Sequence, residues 1–310
     1  MYNETTLAMA APELVLTKAG RPAVTCRACD SAVYDCFLEG HGYRIVTCRN
    51  CGLRYVNPQP TDQELHDFYS NFDQETTWRG DGEEPFDRAM RKIILRHRKP
   101  GSVLDVGSSR GNFLLSMRAA GFDVFGVEPS ATNSEFARTQ NKIHTYTGTV
   151  EDFLSSPFGG PFDVITLLNV IEHLREPKAV LCGLRELLMD DGIVALVVPD
   201  ARFHAALGKV RSLLGFSDPY WMAEGKRQLV GFDPPQHLCS FEPRTIKQLV
   251  ESCGFSTIAV QSAPVILNRV ALRDLAKASV RFASDLLRIL SFGHLVVGYS
   301  TAIVARRVSR

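Results

Sequence analysis

Residues 102–106, Ser-Val-Leu-Asp-Val, form a short apolar run that enters the turn Gly107-Ser-Ser-Arg-Gly111 and leaves it as a helix-like stretch over 112–120, stopped by Gly121. A strand that ends in a glycine-bearing turn and restarts as a helix reads as a βα unit, because neighbouring parallel strands need a crossover between them. The pattern then repeats. Strand-like runs at 123–127, 143–146, 162–168 and 193–198 alternate with helical stretches at 132–140 and 177–189, the last strand being fed by the turn Asp190-Asp-Gly192. A helix over 245–252 with Gly254 behind it, a strand over 255–261 and a final strand near 295–305 complete the series. Such alternation predicts an α/β domain over 101–310, with a seven-stranded, mostly parallel sheet and helices on both faces.

Ahead of that domain lie two cysteine hooks, Cys26-Arg-Ala-Cys29 and Cys48-Arg-Asn-Cys51, with eighteen residues between Cys29 and Cys48. Two such hooks can offer four thiolates to one tetrahedral Zn²⁺, and Gly52 lets the chain turn after the second. Uncoordinated thiols are the alternative; Cys36 and His41 lie between the hooks but lack hook spacing. Four sulfurs would close the coordination sphere, so the expected role is structural: a stretch as short as 21–60 buries too little to fold unaided. Cys182, Cys239 and Cys253 read as core or incidental. Asn57-Pro-Gln-Pro60 then breaks the chain, Thr61-Asp-Gln-Glu64 has the spacing of a capping box for a helix to Tyr69, and 71–84 is polar, a linker or flap. With a basic helical segment over 86–99, residues 61–100 form a helical linker. Residues 1–20 read as a flexible tail.

The chain has 310 residues, 45% hydrophobic and 22% charged, which suits one large domain with a small appendage. A formal net charge of +1 supplies no global field for a polyanion, so nucleic acid is not an expected partner. Residues 1–20 lack the basic start and apolar core of a secretory signal, and no run approaches the roughly 18 apolar residues that span a bilayer. A cytoplasmic protein without a transmembrane segment is expected.

Small residues at 107–111 let a ligand approach backbone N–H groups at a helix start, and Glu128, closing the second strand, can accept hydrogen bonds from two ribose hydroxyls. Dinucleotide-binding folds share both features. Taken in order, however, Leu104-Asp-Val-Gly-Ser-Ser-Arg-Gly111, Gly126-Val-Glu-Pro-Ser130, Thr147-Gly-Thr-Val-Glu-Asp152 and Phe162-Asp-Val-Ile-Thr-Leu-Leu-Asn-Val-Ile-Glu-His-Leu174 resemble the motifs of class I S-adenosylmethionine-dependent methyltransferases, a Rossmann-like family. The stretch Cys48-Arg-Asn-Cys-Gly-Leu-Arg-Tyr-Val-Asn-Pro-Gln-Pro60 is similar to a subgroup with a zinc-binding module ahead of that domain, which includes sugar C-methyltransferases and bacterial enzymes of polysaccharide and secondary metabolism. The resemblance implies S-adenosylmethionine as cofactor. Asp105, Gly107, Ser108, Ser109 and Gly111 would shape the pocket for its methionine end. Glu128 and Pro129 would border the ribose, Thr149, Val150 and Glu151 the adenine, and Leu168 and Asn169 the sulfonium. Ser109 and Thr149 depart from the family's usual Gly and Asp. Cys26, Cys29, Cys48 and Cys51 would be the metal ligands.

Transfer of a methyl group needs two positioned reactants and, for a hydroxyl or carbon acid, a proton acceptor. His173, just past the fourth strand, and His237, in Asp233-Pro-Pro-Gln-His-Leu238, are the candidates. The resembling sugar enzymes use a Glu-His pair where this chain has Gln236-His237, which tilts the expectation from carbon toward oxygen. Excursions near 200–240, with Phe203, Phe216, Tyr220, Trp221 and Phe232, and near 265–292 suggest a lid and an amphipathic helix. In the latter, Arg269, Arg273, Lys277 and Arg281 form a basic face that could rest on a membrane surface or simply be solvated. The expected acceptor is a small molecule, sugar, glycan or natural product. A non-catalytic cofactor-binding protein and an RNA methyltransferase are the alternatives.

Overall fold

A computed structural model describes residues 21, 23–40, 43–70, 84–157, 159–202, 220–223, 226–229, 235–263 and 299–308. The tail 1–20, His41, flap residues 71–83, most of the excursion between 203 and 234, and the amphipathic stretch 267–290 lie outside these.

The N-terminal module is built from β1 (Tyr34–Gly40), β2 (Tyr43–Cys48) and β3 (Arg54–Val56), an antiparallel meander. It is followed by α1 (Asp62–Ser70) and α2 (Pro85–Leu95). The capping box at α1 is present: Thr61 Oγ1 accepts the Glu64 N–H at 3.2 Å and Glu64 Oε2 accepts the Thr61 N–H at 2.7 Å. On α2, Phe86, Met90, Ile93 and Ile94 fall on one stripe and are buried in one apolar cluster with Leu114 and Met117.

The main domain alternates as its periodicity requires: β4 (Ser102–Val106), α3 (Asn112–Ala119), β5 (Asp123–Glu128), α4 (Ala131–Thr139), β6 (His144–Thr147), α5 (Val150–Leu154) and β7 (Phe162–Leu168). Then come α6 (Pro177–Glu186), β8 (Leu188–Pro199), a hairpin of β9 (Tyr220–Ala223) and β10 (Lys226–Leu229), and β11 (Cys239–Ser240). The chain ends with α7 (Pro243–Ser252), β12 (Phe255–Ser262) and β13 (Ser300–Arg307). Seven strands form the central sheet in the order β12-β13-β8-β7-β4-β5-β6. The five strands from β8 to β6 are parallel, whereas β13 lies antiparallel between β8 and β12. Residues 193–198 of β8 are fully buried, which is why this strand reads as an unbroken apolar run and not as an alternation.

Two strands differ most from the sequence expectation. β8 begins at Leu188, which pairs with Phe162, so the helix before it stops at Glu186 and the Asp190-Asp-Gly192 turn becomes an irregularity within the strand. The last strand begins at Ser300 and runs to Arg307, because its ladder with β8, from Ser300↔Pro199 to Arg306↔Ile193, sets its length. Arg307 is kept by Glu186 at 3.6 Å and by the Leu188 carbonyl.

The N-terminal module is joined to the main domain through its sheet. β11 pairs with β3, making a four-stranded sheet β1-β2-β3-β11. Cys26, Cys48, Leu53 and Tyr55 share one buried cluster with Ile171, Cys239 and Phe241. From β4 the chain moves to β5 on one side and later returns to β7 on the other. A crevice therefore opens beyond the carboxyl end of β4, the place where such sheets bind ligands. No helix among the described residues is long and apolar enough to cross a membrane.

Candidate active site and metal centre

The turn after β4 is held in a shape that favours glycine. Gly107 has φ 72°, and Ser109 also sits in the left-handed region at φ 50°. Hydrogen bonds compensate: the N–H groups of Gly107 and Ser108 both donate to the Val127 carbonyl, at 2.8 and 3.1 Å. The Ser109 N–H donates to Glu128 Oε2 at 2.8 Å. Glu128 Oε1 accepts the Ser130 N–H at 2.9 Å, so this one carboxylate ties the glycine turn to the start of α4. Burial pushes the Glu128 carboxyl up, while its two N–H donors favour the charged form. Asp105 lies beneath the turn, 3% exposed, where it accepts a hydrogen bond from Thr166 Oγ1 at 2.5 Å. Burial pushes its carboxyl up to about 7.

A cavity of about 800 Å³ opens over this turn. Gly107, Glu128 and Pro129 line it, as do Thr149, Val150 and Glu151 at the start of α5. Thr149 stands there as an N-cap: its hydroxyl accepts the Asp152 N–H at 3.1 Å, completing a capping box that sets the loop. His173, Val170 and Arg175 line the same cavity, as does Leu65 of α1. Seven of the predicted residues thus surround one cavity. Asp105, Ser108, Ser109 and Gly111 support the turn from outside its lining. Leu168 and Asn169, at the carboxyl end of β7, also lie outside it, with Asn169 in the left-handed region at φ 58°. The cavity suits an adenosyl ligand on its donor set: two N–H bonds leave further lone pairs on both Glu128 oxygens, the arrangement that vicinal hydroxyls require. A larger opening of about 900 Å³ lies over β4, β5 and β6, lined by Phe125, Tyr146 and Phe162; it meets neither the glycine turn nor either histidine.

Behind His173 is a group that sequence reasoning passed over. Glu172 and His173 belong to a single 3₁₀ turn, Ile171–His173. The Glu172 side chain is 3% exposed, and neither of its carboxylate oxygens has a hydrogen-bond partner among the described residues. Burial pushes this carboxyl up to about 8, so it holds its proton at neutral pH. His173 Nε2 faces Glu172 Oε1 at 3.9 Å. His173 Nδ1 lies 3.1 Å from the Gln236 carbonyl, which can only accept, so Nδ1 carries the proton and Nε2 the lone pair. Burial lowers the His173 pKa. The His237 ring packs on that of His173 with centroids 4.8 Å apart, and ligating atoms of all three side chains lie within 4.8 Å of one another. Both histidines singled out by sequence therefore meet. Glu172 was legible only as the neighbour of His173, since nothing local signals its burial.

The four hook cysteines converge. Cys26 Sγ is 3.5 Å from Cys51 Sγ, Cys29 Sγ is 3.6 Å from Cys48 Sγ, and all four sulfurs lie within 4.8 Å of one another. Sulfurs at about 2.3 Å from a tetrahedral Zn²⁺ would be ~3.8 Å apart, so the donor set fits that ion. Both hooks use the same backbone pattern. Asp30 and Gly52 each donate an N–H to the carbonyl of the first cysteine four residues back, and each takes a positive φ, 61° and 79°. Cys36 is exposed and apart from this group; Cys239 and Cys253 are buried.

A family model described as a methyltransferase domain matches residues 78–260, more than half of the chain. A ubiquinone biosynthesis O-methyltransferase of Actinobacillus pleuropneumoniae serotype 5b is 31% identical over 100 residues, 30% of this chain and 43% of that protein. The enzyme of the same name from Caulobacter vibrioides is 28% identical over 145 residues, 45% of this chain and 56% of that protein. The chain thus spans about half the length of these curated relatives. Among solved structures, magnesium protoporphyrin IX methyltransferase from Synechocystis PCC 6803 with bound SAH superposes with a TM-score of 0.49 at 15% identity, covering 80% of this chain and all of that one.

Proposed function

The chain belongs to the methyltransferase-domain family, and from that premise we propose that it is a class I enzyme that transfers a methyl group from S-adenosylmethionine to a hydroxyl oxygen of a small-molecule acceptor. The observation that carries the reading is that Glu128, tied to Ser109 and Ser130, and His173 line one cavity. When bound, the cofactor supplies an electrophilic methyl group on a sulfonium. Glu128 holds the ribose, the glycine turn admits the methionine end, and Thr149, Val150 and Glu151 flank the adenine. His173 takes the proton of the acceptor hydroxyl, its place on the cavity wall supporting that role. His237 backs the ring, and Glu172 behind it stays neutral. The ubiquinone O-methyltransferase relatives favour oxygen as the methylated atom, as does Gln236 in place of the Glu of the resembling sugar enzymes. Sugar, glycan and natural-product hydroxyls are all acceptors of the proposed class. Zn²⁺ on Cys26, Cys29, Cys48 and Cys51 completes the proposed holoenzyme.

The test is calorimetric titration of zinc-replete protein with S-adenosylhomocysteine, beside Glu128→Ala and with NAD as control. Micromolar affinity is expected, weakened in the variant by about 1–3 kcal/mol, the scale of hydrogen bonds to a charged group. Folded wild-type protein that fails to bind would remove the reading. For the base, NMR titration of the His173 ring should give a midpoint below the usual 6.5, because burial disfavours the charged form. His173 then stays a competent acceptor through neutral pH and is lost only on the acid side. A midpoint above 6.5 would show that burial does not govern this ring.

A further inference from the structure

The two histidine-bearing segments are far apart in sequence, and neither is held in place by the central sheet alone. His173 lies in the turn after β7, and His237 lies in the connection before α7. They touch each other directly, His173 Nδ1 against the Gln236 carbonyl, and the cysteine module packs on both. Strand β3 starts three residues after Cys51 and pairs with β11, Cys239 opposite Tyr55 and Ser240 opposite Arg54. The Val56 N–H donates to the Leu238 carbonyl at 2.9 Å, and the Leu238 N–H donates to the Glu172 carbonyl at 2.8 Å. Leu238, the residue after His237, is therefore clamped between the module and the Glu172–His173 turn. Ion pairs grip the same two segments. Arg27, inside the first hook, pairs with Glu176 at 2.6 Å, and Asp30, just after that hook, pairs with Lys178. Arg54 reaches Glu242 at 3.5 Å, and Arg175 donates to the Pro60 carbonyl at 2.7 Å where the chain leaves the module.

We infer that the metal-bound cysteine module is a positioning element of the active site: by gripping residues 172–178 and 236–242 together it sets His237 and Glu172 against His173. The four thiols supply the rigidity. Without a cation to hold the hooks together, β3 is a three-residue strand on a short meander, and strands of that size are marginal by themselves. The hydrogen bonds that shape the glycine turn and fix Glu128 lie within β4, β5 and their turns, and none of them comes from the module. This division predicts a selective effect of metal loss. The inference rests on the reading of His173 as the proton acceptor with His237 behind its ring, but its test does not use turnover.

Hydrogen exchange of the full chain would be followed by mass spectrometry, zinc-replete and after treatment with a chelator, alongside S-adenosylhomocysteine affinity in both states. Chelation is expected to speed exchange at least tenfold at 54–57, 172–178 and 236–240, while 102–106 and 123–128 change less than twofold and S-adenosylhomocysteine still binds. The long-range ¹H–¹⁵N spectrum of the His173 ring should show one fixed tautomer with zinc and averaged nitrogen shifts without it, a signature that loss of stability elsewhere would not produce. In a second protein, Arg27→Met with Lys178→Met, zinc should remain at one per chain while exchange rises severalfold at 172–178. Acceleration confined to 21–57, or an unchanged His173 tautomer, would overturn the clamp. So would equal loss of protection at 102–128, since zinc would then support the whole fold. A wild type that binds no S-adenosylhomocysteine yet shows the coupled exchange would sink the methyltransferase reading and leave the clamp standing.

Discussion

Replacing Glu172 with Gln should make the protein more stable at pH 8 than the wild type and remove a loss of stability that the wild type shows between about pH 5 and 8. The carboxyl is fully buried and pushed up to about 8 from its usual 4.5. In that window the unfolded chain has released the proton and the folded chain keeps it. The folded state binds more protons, so stability falls as pH rises through the window and levels off above the folded pKa. At 1.36 kcal/mol per pH unit the swing is on the order of 3–5 kcal/mol, large against a typical domain's stability. Gln retains the shape, carries no charge and can offer an N–H toward His173 Nε2. Asp105, raised to about 7, and Glu128, also raised, add slope of the same sign in both proteins, so the difference between variant and wild type isolates Glu172. Urea midpoints at pH 5 and 8.5 would measure it. Parallel curves for the two proteins would mean that the Glu172 carboxylate finds a partner or water that keeps it charged.

The second large effect is expected at Gly107. A Cβ there would stand 2.5 Å from Val170 Cγ2, in a residue whose φ is 72°. The left-handed conformation costs a non-glycine residue about 1–2 kcal/mol, and forcing a methyl group against a β-branched side chain adds about 1–3 kcal/mol. Relief by shifting the turn would disturb the N–H donors to Val127 and, through Ser109, the Glu128 carboxylate. Gly107→Ala should therefore lower the thermal midpoint and weaken S-adenosylhomocysteine binding more than tenfold. Adding Val170→Ala removes the clash and leaves the backbone strain, so stability should recover in part and affinity less. Wild-type affinity in Gly107→Ala would show that the turn is not the cradle. The same substitution at Gly111 meets Ile143 Cδ1, the far end of a flexible side chain, and should be milder.

The fold was legible because its signals are local. Strand, turn and helix follow one another at short range from 102 to 168, and hydrophobic period is set by the residues that show it. Hook spacing is equally local: two residues between cysteines suffice to aim both sulfurs at one centre, and the chain places all four together. The turn at 107–111 and the closing acid at 128 could be read for the same reason, and the Thr149 and Ser109 departures have local explanations in a cap and a left-handed turn residue.

What needed tertiary structure is whatever depends on burial or on pairing across long separations. Glu172 is one of many acids in the sequence; only the packing around it removes water and raises its pKa. His173 and His237 were each visible, but their contact is made by a ring-to-ring approach between segments with no local relation. The sequence marks 21–60 as a unit ahead of the main domain, whereas β11, two residues long, joins that unit to the segments that carry His173 and His237. A strand so short has no periodicity of its own; it exists because β3 offers it backbone partners. The start of β8 at Leu188 and the limits of β13 were likewise decided by ladder register. Sequence by itself determined the main strands and helices from 102 to 261 and the spacing of the cysteine hooks, since both follow from neighbours along the chain. Only the folded structure decided which side chains meet and which lose their water, because contact and desolvation belong to the packed whole.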